Sequence, residues 1–166
     1  MHNFDTLFLD RDGVINVKLD GRYVTNFTEF EYMPGARSAI SKLTKIFKRI
    51  VIITNQQGIG KGVMLACDLE LLHDLMISDI EKFSGKINKI YYCPHLVKVA
   101  CNCRKPQTGM IKKAIRDFPN IIIDDSYLIG DSDSDILAGK SMKLHTVKVD
   151  GEYTLAKWTK ELMAVL

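Results

Sequence analysis

Five short apolar runs alternate along this chain with segments of helical periodicity, and this alternation constrains the fold more than any other feature. The runs are rich in β-branched and aromatic residues, which favour strands. They are residues 4–9, 49–54, 87–93, 126–130 and 145–149. This order is typical of parallel sheets, because parallel neighbours need a long crossover connection. The sequence therefore predicts an α/β protein whose parallel sheet is covered by helices on both faces.

The segments between these runs carry apolar residues at helical spacing. The predicted apolar stripes are 36–47, 69–83, 110–118 and 155–165, with a further short helix over 135–141. Pro34 and Gly35 suit the first turn of the first helix, and Thr108 is a suitable cap for the third. With 166 residues and no repeat, linker or low-complexity tract, the chain is predicted to form a single domain, residues 1–166.

Charge and composition argue against several functional classes. A net charge of +3 is too weak to indicate nucleic-acid binding, and 46% hydrophobic with 26% charged residues is ordinary for a globular domain. The longest apolar runs, such as 50–53, are far too short to span a bilayer, and residues 1–5 do not resemble a secretory signal. We therefore expect a cytoplasmic, monomeric protein that binds neither nucleic acid nor a membrane.

The segment 93–106 combines a metal-binding pattern with two cations. Four residues in it have the types and spacing of a closed, tetrahedral Zn²⁺ site: Cys93, His95, Cys101 and Cys103. Two disulfides are the weaker interpretation for a reducing compartment, and unligated cysteines are the other alternative. We predict a structural zinc loop over residues 93–103. The remaining cysteine, Cys67, is predicted to be a small buried apolar residue.

Candidate chemical groups follow four of the five predicted strands. One pair comes after each of the first four strands: Asp10 and Asp12, Thr54 and Asn55, Arg104 and Lys105, Asp131 and Asp135. The carboxyl ends of parallel strands meet at one edge of the sheet, and ligands of open α/β sheets bind at that edge. We therefore expect these residues to lie in one site.

Asp10 and Asp12 suit phosphoryl chemistry. The carboxylate of Asp10 can attack phosphorus and form an aspartyl-phosphate. The carboxyl of Asp12 can protonate the leaving oxygen and then deprotonate the hydrolytic water. The alternative is a simple polar turn, because Gly13 lets the chain turn sharply after the strand.

Asp131 and Asp135 add two further carboxylates to Asp10 and Asp12, and together these groups indicate a catalytic Mg²⁺. Asp10 and Asp131 are hard oxygen donors that could share the ion with a phosphate group. Asp135 would orient waters on the metal, or a ligand. Asp133 is predicted only to cap the following helix.

The cationic and hydroxyl groups suit the negative charge of a phosphoryl group. Thr54 can donate its hydroxyl to a phosphoryl oxygen, and Lys105 supplies a fixed positive charge in the transition state. Arg104 could bind a second anionic or hydroxyl group of the substrate through the N–H donors of its planar guanidinium group. The alternative for Lys105 is an ordinary surface lysine.

The residues after the second strand are predicted to contact substrate. Asn55 can donate an amide hydrogen bond to phosphoryl oxygens, and Gln56 and Gln57 extend the same surface. The loop 56–62 is glycine-rich but lacks the spacing of a Walker motif. We therefore interpret it as a flexible loop that leads into a helix.

Four segments together resemble the four motifs of the haloacid dehalogenase (HAD) superfamily of phosphatases. They are Phe-Leu-Asp-Arg-Asp-Gly at 8–13, Ile-Thr-Asn-Gln at 53–56, Cys-Arg-Lys-Pro at 103–106 and Gly-Asp-Ser-Asp-Ser-Asp at 130–135. The zinc loop narrows the resemblance to the subgroup that contains heptose 1,7-bisphosphate and histidinol-phosphate phosphatases. The likeness covers about residues 4 to 149, which is nearly the whole chain.

This resemblance implies a fold and a set of roles. The fold would be a Rossmann-like three-layer α/β/α sandwich with minimal or no cap domain. Asp10 would be the nucleophile and Asp12 the general acid and base, while Thr54 and Lys105 would stabilise the phosphoryl group. Mg²⁺ would be held by Asp10, the backbone carbonyl of Asp12, and Asp131.

Within this subgroup the sequence favours a sugar bisphosphate. Segments 20–24 and 90–95 look like the heptose enzymes, whereas the five-residue gap between His95 and Cys101 looks like the histidinol-phosphate enzymes. Loops accept insertions at little cost, so the loop length carries less weight. We expect hydrolysis of D-glycero-D-manno-heptose 1,7-bisphosphate at C7, a step of lipopolysaccharide or surface-glycan biosynthesis.

Several alternatives stay open at this point. The substrate could be histidinol phosphate or a 3′-phosphate end of nucleic acid, and the chain could instead be a non-enzymatic zinc module. Arg104 is expected to help recognise the substrate. Ser132 stands where relatives often have Lys or Arg, and it is kept as a substrate-binding candidate.

Overall fold

The computed structural model describes residues 3–166, and a five-stranded sheet lies at its centre. The strands are β1 (Phe4–Leu9), β2 (Phe47–Asn55), β3 (Lys89–Cys93), β4 (Tyr127–Gly130) and β5 (His145–Lys148). The helices are α1 (Ala36–Ile46), α2 (Ala66–Lys82), α3 (Gly109–Asp117), α4 (Asp133–Ser141) and α5 (Leu155–Ala164). Short 3₁₀ helices cover Phe27–Glu29, Val97–Val99 and Ile123–Asp125.

Neighbouring strands of this sheet all pair in parallel, in the order β3-β2-β1-β4-β5. Phe8 on β1 pairs with Val51 on one side and with Leu128 on the other. The chain therefore moves outward from β1 to β3 and then crosses back to β4, so the direction reverses between β1 and β4. Such a reversal opens a crevice beyond the carboxyl ends of the two strands.

Helices cover both faces of the sheet. Successive strand residues point to opposite faces, so Leu7 and Leu9 pack with side chains of α1, α2 and α5. Phe8 packs on the other face with side chains of α3 and α4. All three residues are fully buried, and each such side chain contributes about 1.5–3 kcal/mol. The predicted three-layer α/β/α sandwich is confirmed.

Five side chains lie elsewhere than the sequence pattern predicted. Phe47 is the first residue of β2, because α1 ends directly before it. Leu75 and Phe83 are 43% and 47% exposed, because the buried face of α2 is narrower than the apolar pattern. Val165 lies beyond the end of α5 and is exposed. The prediction of a buried Cys67 was wrong, since this residue lies on the solvent side in the first turn of α2.

The connections at the carboxyl edge are short. Residues 10–35 contain the 3₁₀ helix Phe27–Glu29 and isolated bridges, and residues 56–65 form a series of turns, so neither connection holds a cap domain. Within residues 3–166, no helix is long and apolar enough to cross a membrane. Residues 1–2, on which the predicted lack of a secretory signal partly rests, lie outside the described residues.

Candidate active site

The carboxyl edge of the sheet borders a cleft of about 370 Å³. Most of the predicted site residues line it: Asp10, Asp12, Asn55, Gln56, Gln57, Arg104, Lys105, Asp131, Ser132 and Asp135. Thr54 is the exception, because its side chain is fully buried and accepts a hydrogen bond from Gln56 Nε2 at 2.9 Å. The fold thus brings together residues from four separate segments of the chain, as expected from the strand order.

Asp10 lies directly after β1, within reach of positive charge. The backbone N–H of Arg11 donates to its Oδ1 at 2.8 Å, and Lys105 Nζ lies 3.0 Å from the same oxygen. Burial, together with the charges of Asp135 and Asp12, raises the pKa of Asp10 to about 7 against the opposing charge of Lys105. A nucleophilic role requires the ionised carboxylate, so this position calls for additional positive charge.

Lys105 is the cation at the base of the cleft. It is only 4% exposed. Besides its contact with Asp10, its Nζ lies 2.6 Å from Asp135 Oδ1 and donates a hydrogen bond to the Ile53 carbonyl at 2.8 Å. Burial works to lower the pKa of Lys105, but the charges of Asp10 and Asp135 raise it above its ordinary value. The lysine is therefore a fixed positive charge rather than a surface group.

Replacing Lys105 by methionine should destabilise the fold. The variant would leave Asp10 and Asp135 buried without their common counter-charge, and we expect the free energy of unfolding to fall by about 3–5 kcal/mol. Urea denaturation at pH 8 without added Mg²⁺ measures the loss, with Lys112→Met on the exposed face of α3 as the matched control. A loss no larger than that of the control would contradict a buried counter-charge at this position.

Asp12 is held by three side chains. Its Oδ1 accepts from Arg11 Nη2 at 2.9 Å and from Asn16 Nδ2 at 3.0 Å, and its Oδ2 accepts from Gln56 Nε2 at 2.8 Å. Burial works to raise the pKa of Asp12, but the Arg11 guanidinium and the hydrogen bonds outweigh it and place the pKa below its ordinary value. The side chain remains 22% exposed toward the cleft, which is compatible with proton exchange.

Three carboxylates at this edge form a group that could hold a divalent cation. One oxygen from each of Asp10, Asp131 and Asp135 lies within 4.8 Å of the others. Asp131 Oδ1 is buried and finds no hydrogen-bond partner among residues 3–166. An oxygen-only donor set of this kind suits Mg²⁺, and a cation there would offset the charge that raises the pKa of Asp10. The residues therefore fit the predicted magnesium site.

Asp131 is approached from two sides by the loop after β1. Lys18 Nζ, on a half-exposed side chain, donates to Asp131 Oδ2 at 2.9 Å. Gly13 has a φ of +85°, and a Cβ added there would lie 2.5 Å from the same oxygen. Glycine at this position therefore permits both the turn and the close packing of the loop against Asp131.

Asn55 joins the carboxyl end of β2 to the segment that follows β3. Its Nδ2 donates to the backbone carbonyl of Lys105 at 3.2 Å, and its Oδ1 accepts from the backbone N–H of Lys105 at 3.0 Å. Both polar atoms of the amide are thus engaged with the backbone. Asn55 fixes the position of Lys105, and its predicted contact with substrate stays a prediction.

Ser132 and Asp135 close the start of α4. Ser132 is the N-cap, its Oγ lies 2.8 Å from Asp135 Oδ2, and its backbone N–H donates to Asp135 Oδ2 at 3.1 Å. Asp133 is not the cap, because it lies in the first turn and pairs at the surface with Lys148. The cap that the sequence assigned to Asp133 is therefore supplied by Ser132, which also lines the cleft.

The predicted zinc ligands come together beside this cleft. The five contacts among Cys93 Sγ, His95 Nδ1, Cys101 Sγ and Cys103 Sγ span 3.0–3.5 Å, and all four atoms lie within 4.8 Å of one another. None of the three cysteines forms a disulfide. Four donor atoms around one centre, three of them sulfur, are the set that Zn²⁺ prefers. The disulfide interpretation is excluded for these residues.

The thiol cluster is connected directly to the cations of the cleft. Burial works to raise the pKa of Cys101, but the backbone N–H of Arg104 and the neighbouring thiols outweigh it and lower the pKa to about 6. A thiolate is the form that binds a metal. Arg104 lines the cleft, and its Nη1 is buried without a hydrogen-bond partner among the described residues. This leaves a donor available for an anionic or hydroxyl group of a substrate.

Sequence reasoning missed several residues of this site. Arg11 and His73 lie behind Asp12, and three cationic residues add to the rim of the cleft: Lys18, Arg22 and Lys61. The signal for Arg11 was its place inside the Asp-Arg-Asp-Gly motif. The signal for His73 was a titratable residue on the apolar face of α2. Nothing in the local sequence distinguishes the three rim cations from other surface residues.

Comparison with known proteins decides the family. Residues 102–164 match the family described as HAD-hydrolase-like. A D-glycero-alpha-D-manno-heptose-1,7-bisphosphate 7-phosphatase of Campylobacter jejuni is 41% identical over 145 residues, covering 85% of this chain and 79% of that protein. The chain belongs to the HAD family of phosphatases. A relative from Pseudomonas putida is named for the beta form instead, as D-glycero-beta-D-manno-heptose-1,7-bisphosphate 7-phosphatase. It is 35% identical over 158 residues, 93% of this chain and 89% of that protein.

Solved structures of HAD phosphatases agree with this assignment. The D,D-heptose 1.7-bisphosphate phosphatase of B. bronchiseptica, determined with magnesium and phosphate, superimposes with a TM-score of 0.88 at 28% identity. The match covers 98% of this chain and 99% of that one. The similarity therefore extends over the whole sandwich, including the segments that form the cleft. The predicted superfamily and the predicted phosphatase class are both confirmed.

Proposed function

We propose that this HAD phosphatase removes the C7 phosphate of D-glycero-D-manno-heptose 1,7-bisphosphate. The observation that carries the proposal is the cleft, where Asp10 and Asp12 face a group of cationic side chains. Those cations are Lys18, Arg22, Lys61, Arg104 and Lys105. A substrate with two phosphate groups matches this distribution, with one group at Lys105 and the other toward the rim. The names of the relatives from Campylobacter jejuni and Pseudomonas putida support the same substrate.

Phosphoryl transfer to the protein is the first chemical step. A carboxylate oxygen of Asp10 attacks phosphorus, and the bond between phosphorus and the sugar oxygen breaks. Asp12 donates its proton to that leaving oxygen. Lys105, fixed by Asp10 and Asp135, stabilises negative charge on the phosphoryl oxygens. Thr54 is the second donor proposed for those oxygens, through the hydroxyl proton that its bond with Gln56 leaves free.

Hydrolysis of the aspartyl-phosphate is the second step. Asp12, now a carboxylate, takes a proton from a water molecule as that water attacks phosphorus. The bond between phosphorus and Asp10 breaks, which releases inorganic phosphate and restores the carboxylate of Asp10. Asp12 finishes the cycle protonated and ready to serve as the acid again. The hydrogen bonds to Asp12 keep its carboxyl group at the same place in both steps.

We propose Mg²⁺ as the catalytic ion. Asp10, Asp131 and the backbone carbonyl of Asp12 would hold it, and Asp135 would orient its water ligands. When bound, the ion supplies positive charge that keeps Asp10 ionised and offsets the charge of the phosphate. Two observations support this assignment: Asp131 Oδ1 has no hydrogen-bond partner among residues 3–166, and the three carboxylates form a compact group.

We propose Zn²⁺ as a structural ion of the loop 93–103. Cys93, His95, Cys101 and Cys103 would supply all four ligands of such an ion, which would leave no position for water or substrate. The ion would order the segment that leads into Arg104 and Lys105. In this role zinc would hold the side chains of Arg104 and Lys105 in position for substrate binding, and it would take no part in the reaction itself.

A turnover panel tests the proposed substrate. With Mg²⁺ present, we expect a kcat/KM at least about tenfold higher for heptose 1,7-bisphosphate than for histidinol phosphate, because only the bisphosphate can occupy both cationic regions. The panel includes both heptose anomers, since relatives are named for each. A 3′-phosphorylated oligonucleotide serves as the nucleic-acid alternative.

The opposite ranking would overturn the substrate and leave the phosphatase class intact. Histidinol phosphate is the main rival, because the gap between His95 and Cys101 is as short as in histidinol-phosphate enzymes. Membership in a phosphatase family supports an enzyme over the alternative of a non-enzymatic zinc module. A monomeric state, a cytoplasmic location and the lack of nucleic-acid or membrane partners stay predictions.

A further inference from the structure

Arg11 is a charged side chain placed entirely inside the protein. It is 0% exposed and ranks among the largest fully buried side chains. Its Nη2 donates to Asp12 Oδ1 at 2.9 Å, and this forms a partly buried ion pair with the acid and base of the proposed mechanism. Burying an arginine with one carboxylate partner gives little net stability, because desolvation of the two charges offsets their attraction. A contribution to stability is therefore a weak reason for this arrangement.

The other end of the guanidinium is fixed by α2. Arg11 Nη1 lies 3.1 Å from His73 Nε2, and the ring of Phe30 lies 6.0 Å from the guanidinium carbon. Arginine is always protonated and can only donate, so His73 Nε2 is the acceptor and carries no proton. Burial, with the adjacent charge of Arg11, lowers the pKa of His73 to about 3. The imidazole is therefore neutral and able to accept at any pH where the enzyme would work.

The contacts of Asp12 hold its two carboxylate oxygens from different sides. Arg11 and Asn16 both donate to Oδ1, whereas Oδ2 accepts from Gln56, which lines the cleft. A carboxyl that must donate a proton to a leaving oxygen and later accept one from water needs a fixed orientation. The guanidinium supplies it, because it is anchored at Nη1 and contacts Asp12 at Nη2.

We propose that Arg11 and His73 form a positioning pair that aims the Oδ2 of Asp12 at the leaving oxygen of the substrate. His73 acts through Arg11 and does not touch the substrate. The inference rests on the proposed phosphatase mechanism, in which Asp12 protonates the leaving group. It requires only that the chain hydrolyses some alkyl phosphate, whichever sugar or alcohol that phosphate carries.

The test compares two classes of leaving group in His73→Leu. An alkyl phosphate needs a proton on its leaving oxygen, whereas 4-nitrophenyl phosphate releases a stable anion that needs none. We expect kcat/KM to fall on the order of 10- to 100-fold for heptose bisphosphate, or for the best alkyl phosphate found, and by less than about threefold for 4-nitrophenyl phosphate. The ratio kcat/KM is used because it reports the steps up to formation of the aspartyl-phosphate, before the general base acts.

Two further variants separate positioning from simple destabilisation. His73→Gln places an amide oxygen near the position of Nε2 and should restore most of the alkyl-phosphate activity. Leu72→Ala removes a buried side chain from the same helix but leaves both members of the pair, Arg11 and His73, in place. It should lower the melting temperature with no leaving-group selectivity. In a crystal structure of His73→Leu, we expect the Arg11 guanidinium and the Asp12 carboxyl to be displaced.

The outcomes are distinct. Equal losses for the two leaving groups, no loss at all, or an unchanged Asp12 in the crystal structure of His73→Leu would overturn the positioning pair. A higher kcat/KM of the unaltered protein for an alkyl phosphate other than heptose bisphosphate would overturn only the proposed substrate. Selective loss with rescue by His73→Gln would support the pair in either case.

Discussion

Replacing Asp10 by asparagine is expected to lower kcat on the order of 10⁴-fold or more, which is the size of effect seen when a nucleophile is removed. An amide in this position cannot form the aspartyl-phosphate, and the neighbouring carboxylates of Asp12 and Asp135 are held by other groups. Asp12 is turned toward Arg11 and Asn16, and Asp135 is bound to Ser132. Steady-state hydrolysis with Mg²⁺ and trapping of the phosphorylated protein in the unaltered enzyme measure this effect.

The same substitution should not destabilise the protein at pH 8 without added Mg²⁺. The pKa of Asp10 is raised on folding, so the folded state binds its proton more tightly than the unfolded state does. The cost of ionising Asp10 in the folded state therefore builds up as the pH rises above 3.8, the ordinary pKa of the group, and is fully present above about 7. Asparagine removes that cost. Asp133→Asn is the matched control, because this carboxylate lies at the surface outside the cleft. Full activity of Asp10→Asn would refute the proposed mechanism.

Removing the metal of the cysteine cluster should have the second large effect. We expect Cys101→Ser to lose bound zinc, to lower the free energy of unfolding by several kcal/mol and to abolish most activity, since comparable sites contribute about 10–16 kcal/mol in small metal-dependent domains. Activity should fall although zinc is remote from the reaction, because residues 93–103 lead directly into Arg104 and Lys105. Metal analysis, hydrogen exchange over residues 93–106 and turnover measure the three effects.

Cys67→Ser is the matched control for the cluster. This exposed thiol lies on α2 outside the cluster, so its replacement should leave zinc content, stability and turnover unchanged. After strong chelation, Mg²⁺ alone should not restore activity, whereas Zn²⁺ followed by Mg²⁺ should. Retention of zinc and full activity in Cys101→Ser would show that the loop is held by other contacts.

The sheet and the position of the cleft could be predicted because they depend on local patterns. Apolar runs identify strands, and residues that directly follow parallel strands must meet at one edge. The proximity of Asp10, Asn55 and Asp131 could therefore be predicted from their positions at the ends of strands alone. The four metal ligands were predicted for a similar reason, since all of them lie within one segment, residues 93–103, and their spacing is set by the local chain.

Burial of particular side chains was harder to predict. Cys67 and Leu75 belong to apolar residue types on α2, yet they lie on its solvent side. The helix has only one face against the sheet, and the sequence pattern is wider than that face. Phe47 was assigned to a helix because its spacing fits α1, and the pairing of β2 with β1 decided otherwise. In these places packing between elements outweighed local periodicity.

The sequence by itself determined the α/β architecture, the edge that holds the cleft, the metal-binding pattern and the pair Asp10 and Asp12. Each depends on residue type, spacing or position after a strand. Only the tertiary structure decided that Arg11 is buried between Asp12 and His73, and that Lys18 and Lys61 reach the same rim. The loop after β1, which holds Arg11, Asp12 and Lys18, is separated in the chain from Lys61 and His73 by α1 and β2. The distances between these groups therefore depend on how the helices and loops pack on the sheet.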